Sequence, residues 1–134
     1  MKKIGRWAFA YCVNLESINL PKTIKKIGAG TFQNCESLKK IVIPKNVEEI
    51  GKAAFKECIN LSKVVFKGTK CPEIDPGYNG THTFYCTFKN TQEGLRFEVK
   101  TKTIAKELKA ELKNSGVRKA KIYVGDKLIY KNVK

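Results

Sequence analysis

The sequence predicts a repeat solenoid of the α/β type, a right-handed coil whose turns stack through a parallel β-ladder and end in a strand-helix-hairpin cap. Three observations point there. The phrase IGRWAFAYC at residues 4–12 returns as IGAGTFQNC at 27–35 and as IGKAAFKEC at 50–58, a fixed step of 23 residues. Each unit closes on a short alternating run, INL (18–20), IVI (41–43) and VVF (64–66), with the two-residue period of a strand. A unit of this length cannot bury its own apolar face, so neighbours must stack to share a core.

Taken in chain order, each unit opens on an isoleucine: Ile4, Ile27 and Ile50. Gly5, Gly28 and Gly51 follow and read as residues free to turn sharply. The return path carries Ala8, Thr31 and Ala54, then Phe9, Phe32 and Phe55, then Cys12, Cys35 and Cys58. It reads as a short helix or turn with Phe and Cys pointing inward. Leu15, Leu38 and Leu61 lead into the strands, which at one per unit can pair only as a parallel ladder. Pro21 and Pro44 end their strands by withholding a ladder donor. Ile24 and Val47 fill one further apolar column.

Beyond the third unit the pattern weakens. Phe88 reads as the next Phe, Thr91 falls in the Cys column, Gly94 in the Leu column, and Phe97 with Val99 in the strand. The step from Phe55 to Phe88 is 33 residues, so about ten have been inserted. The stretch GTKCPEIDPGYNGTHTFYC (68–86), with Pro72, Pro76, Gly77 and Gly80, reads as a loop. After it, Ile104, Ala105, Leu108 and Leu112 form an apolar stripe at helical spacing, and Gly116 is placed to stop that helix. KAKIYV and KLIYK then read as two strands around a Gly125-Asp126 turn. The organisation is therefore three 23-residue repeats over 1–67, an insertion and degenerate fourth repeat over 68–99, and a C-terminal cap over 100–134. Nothing comparable guards the first coil, whose edge must face solvent, another copy through self-association, or a partner.

The phrase I-G-x-x-A-F-x-x-C-x-x-L-x-x-I-x-L-P resembles the BspA-like, or Treponema pallidum-type, leucine-rich repeat. Residues 4–26 and 27–49 match almost column for column, and residues 50–67 match until Lys67-Gly68 replaces Pro-Lys. The resemblance implies a protein-binding scaffold. It also implies kinship with bacterial and protist surface proteins, which are mostly exported and much longer.

Composition narrows the function. The 27 Lys and Arg outnumber the 12 Asp and Glu, giving a net charge of +15. The excess lies in residues 1–67 and 100–134, while 68–99 is near neutral. Such a surface attracts acidic proteins, nucleic acid or anionic lipid at long range. No apolar run approaches the ~20 residues that cross a bilayer. The start, MKKIGRWAFAYC, lacks the uninterrupted apolar core of a signal peptide. Read as a complete chain, the protein is expected in the cytoplasm; read as a fragment, at the cell surface.

Candidates for chemistry are few. Five cysteines are an odd number for a disulfide framework, and three recur with the repeat, as buried thiols of a stacking core do. The single histidine, His82, lies between Cys71 and Cys86. The spacing Cys-x10-His-x3-Cys lacks the paired Cys-x2-Cys knuckle of a zinc site, and whether the three bind a metal is left open. A Cys86–His82 nucleophilic pair has no evident orienting group. No glycine-rich phosphate loop is present. Neither a catalytic residue nor a cofactor is expected.

Binding surfaces are better supported. Residues flanking the inward positions of the ladder form two columns on its open face: Ser17, Lys40, Lys63 and Arg96, and Asn19, Val42, Val65 and Glu98. Lys40, Val42, Lys63, Val65 and Arg96 are the candidate contact residues, a small apolar centre rimmed by positive charge. Nucleic acid could bind through charge only, because no aromatic residues interleave with these columns. The expected function is that of a small intracellular binder or inhibitor of a charged, even nucleoprotein, partner, as phage or mobile-element anti-defence proteins are. The alternative is a fragment of an exported adhesin.

Overall fold

The computed structural model describes residues 3–74, 87–113 and 115–134. The chain coils through two parallel ladders, with an α-helix and a hairpin at its far end. Short strands β1 (Lys3–Ile4), β2 (Lys26–Ile27), β4 (Glu49–Ile50) and β6 (Glu73–Ile74) form one parallel sheet in the order β1-β2-β4-β6. Strands β3 (Lys40–Ile43), β5 (Lys63–Phe66), β7 (Arg96–Val99), β8 (Ala120–Val124) and β9 (Lys127–Val133) form a second, larger sheet in the order β3-β5-β7-β8-β9. All its pairings are parallel except β8–β9, the hairpin around Gly125.

The smaller ladder changes the reading of the Ile-Gly pairs. Ile4, Ile27, Ile50 and Ile74 are strand residues stacked in register, each with its side chain buried. The glycines after them do not make a sharp left-handed turn; they permit the coils to approach. A Cβ on Gly28 would lie 2.8 Å from the Ile4 carbonyl oxygen, and one on Gly51 2.6 Å from the Ala29 nitrogen. At Gly5, on the first described coil, nothing lies within 4 Å.

The return path is neither an α-helix nor a simple loop but a turn built on two left-handed positions per coil. Trp7, Gly30 and Ala53 share one column with φ of 61°, 65° and 57°. Tyr11, Asn34, Glu57 and Asn90 share the other with φ of 63°, 58°, 61° and 58°. Between them the backbone hydrogen-bonds from coil to coil. Phe9 N–H donates to Thr31 C=O, Phe32 to Ala54, Phe55 to Thr87 and Phe88 to Ser115, all at 2.8–2.9 Å. This locks Phe9, Phe32, Phe55 and Phe88 into a stack with ring centroids 5.4–5.6 Å apart and nearly parallel planes. The fourth coil is thus placed where the 33-residue step put it: Thr91 is buried and Phe97 pairs with Val64. Its leucine differs. Gly94 takes φ 78° and Leu95, one residue later, supplies the buried side chain.

One strand expectation needs correction. Residues 18–20 form no strand. No backbone hydrogen bond joins residues 17–20 to β3, and the nearest coil-to-coil bond is Lys39 N–H to Glu16 C=O at 3.4 Å. Ile18 and Leu20 remain half-buried, because no described coil covers them from the other side. The two strands around Gly125-Asp126 form as expected, and β8 also pairs in parallel with β7, so the cap extends the ladder before β9 closes it.

Helix α1 (Lys102–Glu111) buries Ile104, Ala105 and Leu108, and Leu112 just past its end. The Thr101 hydroxyl accepts from Ile104 N–H as the N-cap. The helix stops at Leu112 rather than at Gly116, which adopts φ 92° further on. The Glu111 carboxylate accepts from Ile74 N–H at 2.8 Å. It thereby satisfies a backbone donor on the free edge of the smaller sheet.

Candidate protein-contact face

In β3, β5, β7 and the start of β8, inward and outward side chains alternate. Ile41, Ile43, Val64, Phe66, Phe97, Val99, Ala120 and Ile122 are buried. The residues between them face out in two columns fixed by strand register. Lys40 lies beside Lys63, Lys63 beside Arg96, and Arg96 beside Lys121. Val42 lies beside Val65, Val65 beside Glu98, and Glu98 beside Tyr123, which pairs across the hairpin with Leu128. The structure thus gathers Lys40, Val42, Lys63, Val65 and Arg96 onto one surface. Ser17 and Asn19 precede this sheet but do not belong to it.

The electrostatics differ from a plain row of cations. Glu98 binds Lys63 Nζ at 3.0 Å and Arg96 Nε at 2.7 Å through the same Oε2 atom. Partial burial opposes ionisation of its carboxyl, but the hydrogen bond and charge of Lys63, with Arg96 beside them, hold it below the usual carboxylate range. Arg96 also lays its guanidinium over the Tyr123 ring, 3.7 Å from the centroid. Lys63 and Arg96 are half-buried and ion-paired, whereas Lys40 and Lys121 are exposed, with no ion pair among the described residues. Of the two open-face lysines Lys40 and Lys63, Lys40 alone is exposed. Glu98 sits diagonally from Lys63 on the neighbouring strand, close enough for a long side chain to bridge.

Lys121, Tyr123 and Leu128 are members of this face that the strand columns of the repeats do not reach. A signal for two of them was present. Lys121-Ile122-Tyr123-Val124 repeats the basic-apolar-variable-apolar tetrad of Lys40–Ile43, Lys63–Phe66 and Arg96–Val99.

The cysteine column is a hydrogen-bonding ladder as well as an apolar one. Cys35 Sγ–H donates to Phe9 C=O at 3.1 Å and Cys58 Sγ–H to Phe32 C=O at 3.0 Å. Burial pushes the Cys35 thiol up to about 11 and the Cys58 thiol higher still, as packed thiols in an apolar stack require. Cys12 differs from the expected buried set: it is half-buried on the first described coil. Cys71 is half-buried, and burial, reinforced by Glu111 and Glu107, pushes its thiol up to about 12. Its suggested companions His82 and Cys86 lie outside the described residues. Among the described residues no three His, Cys, Asp or Glu side chains gather to hold a metal ion. No helix among them is long and apolar enough to cross a membrane.

Comparison with known proteins gives one match. The family model described as the BspA type leucine rich repeat region matches residues 2–107, in six copies. No curated protein and no solved structure matches the chain. Solenoids of this kind typically serve as non-catalytic scaffolds for protein interaction. The match covers most of the chain, and its span holds the stacked Ile, Phe and Cys columns. This protein belongs to the BspA-type leucine-rich repeat family.

Proposed function

We propose that the chain is a non-catalytic scaffold that binds another protein through the outward face of its larger sheet. The observation that carries this reading is the continuity of that face. Val42 and Val65 on one side of Glu98, and Tyr123 and Leu128 on the other, share one outward column, and Lys40, Lys63, Arg96 and Lys121 run alongside it. Apolar contact at the centre with charge at the rim is the arrangement of a protein interface, where rim charge speeds encounter and the centre sets lifetime. The excess of cations favours a partner with an acidic surface. Binding of this kind lets a small protein act by occlusion, as an inhibitor or adaptor of a charged partner.

Affinity capture from the native cell, quantified by mass spectrometry at two salt concentrations, tests the reading. Partners retained by the wild type should be lost with Val42→Glu, which would place a desolvated charge at the centre of the contact. They should associate more slowly with Lys40→Glu combined with Lys121→Glu. The tail pair Lys106→Glu and Lys113→Glu should leave them unchanged. Equal loss with the tail pair would mean diffuse electrostatics and would refute the face.

A further inference from the structure

Beside this face lies a groove of about 380 Å³ that the strand columns alone do not describe. Its apolar wall is made by Ile18 and Leu20 of the first coil and by Val42 and Pro44 of β3 and its end. These are the places where residues 17–20 decline to pair with β3, so their apolar side chains are left half-buried around an opening. Asn19 and four lysines, Lys22, Lys45, Lys67 and Lys100, complete the lining, and no acidic residue takes part.

The repeat itself builds this row. Lys67 and Lys100 each stand four residues past the first residue of their strand, in the column of Pro44, while Lys22 and Lys45 follow Pro21 and Pro44. One lysine per coil, on four successive coils, is thereby brought to the same end of the sheet. All four are exposed, and none makes an ion pair among the described residues. Lys63 and Arg96 on the adjacent face, by contrast, are satisfied by Glu98. The fold thus gives Lys63 and Arg96 a shared carboxylate and leaves the four lysines at the end of the sheet without one.

We infer that this groove binds an acidic peptide segment of a partner protein, with an apolar side chain of the peptide seated between Ile18, Leu20, Val42 and Pro44 and its carboxylates on the lysine row. The inference rests on the scaffold reading above and names its partner's chemistry. Charge complementarity selects an anion, and the apolar wall selects a peptide over a nucleic acid. A single-stranded nucleic acid gains its sequence-tolerant affinity by stacking bases on aromatic rings, and no aromatic side chain lines this groove.

The test is fluorescence anisotropy with a short labelled peptide of Glu and Asp flanking a central Leu-Phe pair. Lys45→Glu with Lys67→Glu should weaken binding at least about tenfold, and replacing Leu-Phe by Ser-Ser should do the same to the wild type. Lys45→Gln with Lys67→Gln should act in the same direction more mildly, and the thermal melts of both pairs should match the wild type. The tail pair Lys106→Glu and Lys113→Glu should cost less than about threefold. The inference is overturned if the Ser-Ser peptide or a single-stranded oligonucleotide of equal charge binds as tightly. It is also overturned if the tail pair costs as much, or if none of the probes binds. Loss of peptide binding with Val42→Glu and with Lys40→Glu, but not with the groove lysines, would instead keep the scaffold reading and move its site back to the sheet.

Discussion

The close approach at Gly28 and Gly51 can be tested against a control that the chain itself provides, Gly5. An alanine methyl at residue 51 would lie 2.6 Å from the Ala29 nitrogen and 2.9 Å from both Ala29 Cα and Gly28 C, where ordinary contact begins at 3.4 Å. The atoms it meets are backbone and cannot rotate away, so the second and third coils must part by about half an ångström or more. That strains the Gly51 N–H to Ile27 C=O bond, now 2.8 Å, whose loss costs about 1 kcal/mol. Overpacking adds about 1–3 kcal/mol, and the stiffer unfolded chain returns about 0.4–1 kcal/mol. Gly51→Ala should therefore destabilise the fold by about 2–3 kcal/mol, and Gly28→Ala by a similar amount. Gly5→Ala meets nothing within 4 Å and should be neutral or slightly stabilising. Urea unfolding followed by far-UV circular dichroism reads all three. Equal midpoints for Gly5→Ala and Gly51→Ala would refute the role assigned to these glycines.

Three further outcomes are expected. A thiol reagent at neutral pH should label Cys12 in the native protein and reach Cys35 and Cys58 only on unfolding, which mass spectrometry of digests resolves. Leu108→Asp should place a carboxylate in a fully buried site on α1, cost more than about 3 kcal/mol, and bring loss of the cap with aggregation of the exposed ladder edge; an unchanged melting temperature would contradict the docking of the helix. Because the carboxyl of Glu98 is held below its ordinary value, its ion pairs stabilise the fold fully above about pH 5 and lose that contribution as pH falls through the lowered value. The stability difference between wild type and Glu98→Gln should then be flat near neutrality and shrink in acid, as unfolding midpoints across pH would show.

The fold was largely legible because its determinants are periodic. The step between Phe9, Phe32 and Phe55 gives the ring stack directly, and the strand tetrads give the register of β3, β5 and β7. The smaller ladder was not, since two residues such as Lys26–Ile27 carry no detectable alternation. The left-handed columns were hidden too: Trp7, Tyr11, Ala53 and Glu57 occupy a conformation that side chains disfavour, imposed by stacking rather than by local preference. Of the candidate face, Lys40, Val42, Lys63, Val65 and Arg96 could be read from the columns. The pairing of Glu98 with Lys63 and Arg96 depends on where long side chains meet across and along strands. The lysine groove depends on a strand that fails to form at residues 18–20.

The extra ten residues between the third and fourth coils leave both the aromatic stack and the strand pairing undisturbed: Phe55 and Phe88 stand 5.4 Å apart, and Lys63 still pairs with Arg96. Register in this protein is therefore held by contacts between coils and not by the length of chain that connects them. Such a junction is a point at which evolution, or an engineer, can add sequence without renegotiating the rest of the molecule. A whole 23-residue unit added within the array would keep the same coil-to-coil register while lengthening the binding face and its lysine row by one step each. Reach and charge become quantities adjusted by copy number, and new recognition elements can be grafted at the junction without retuning the core.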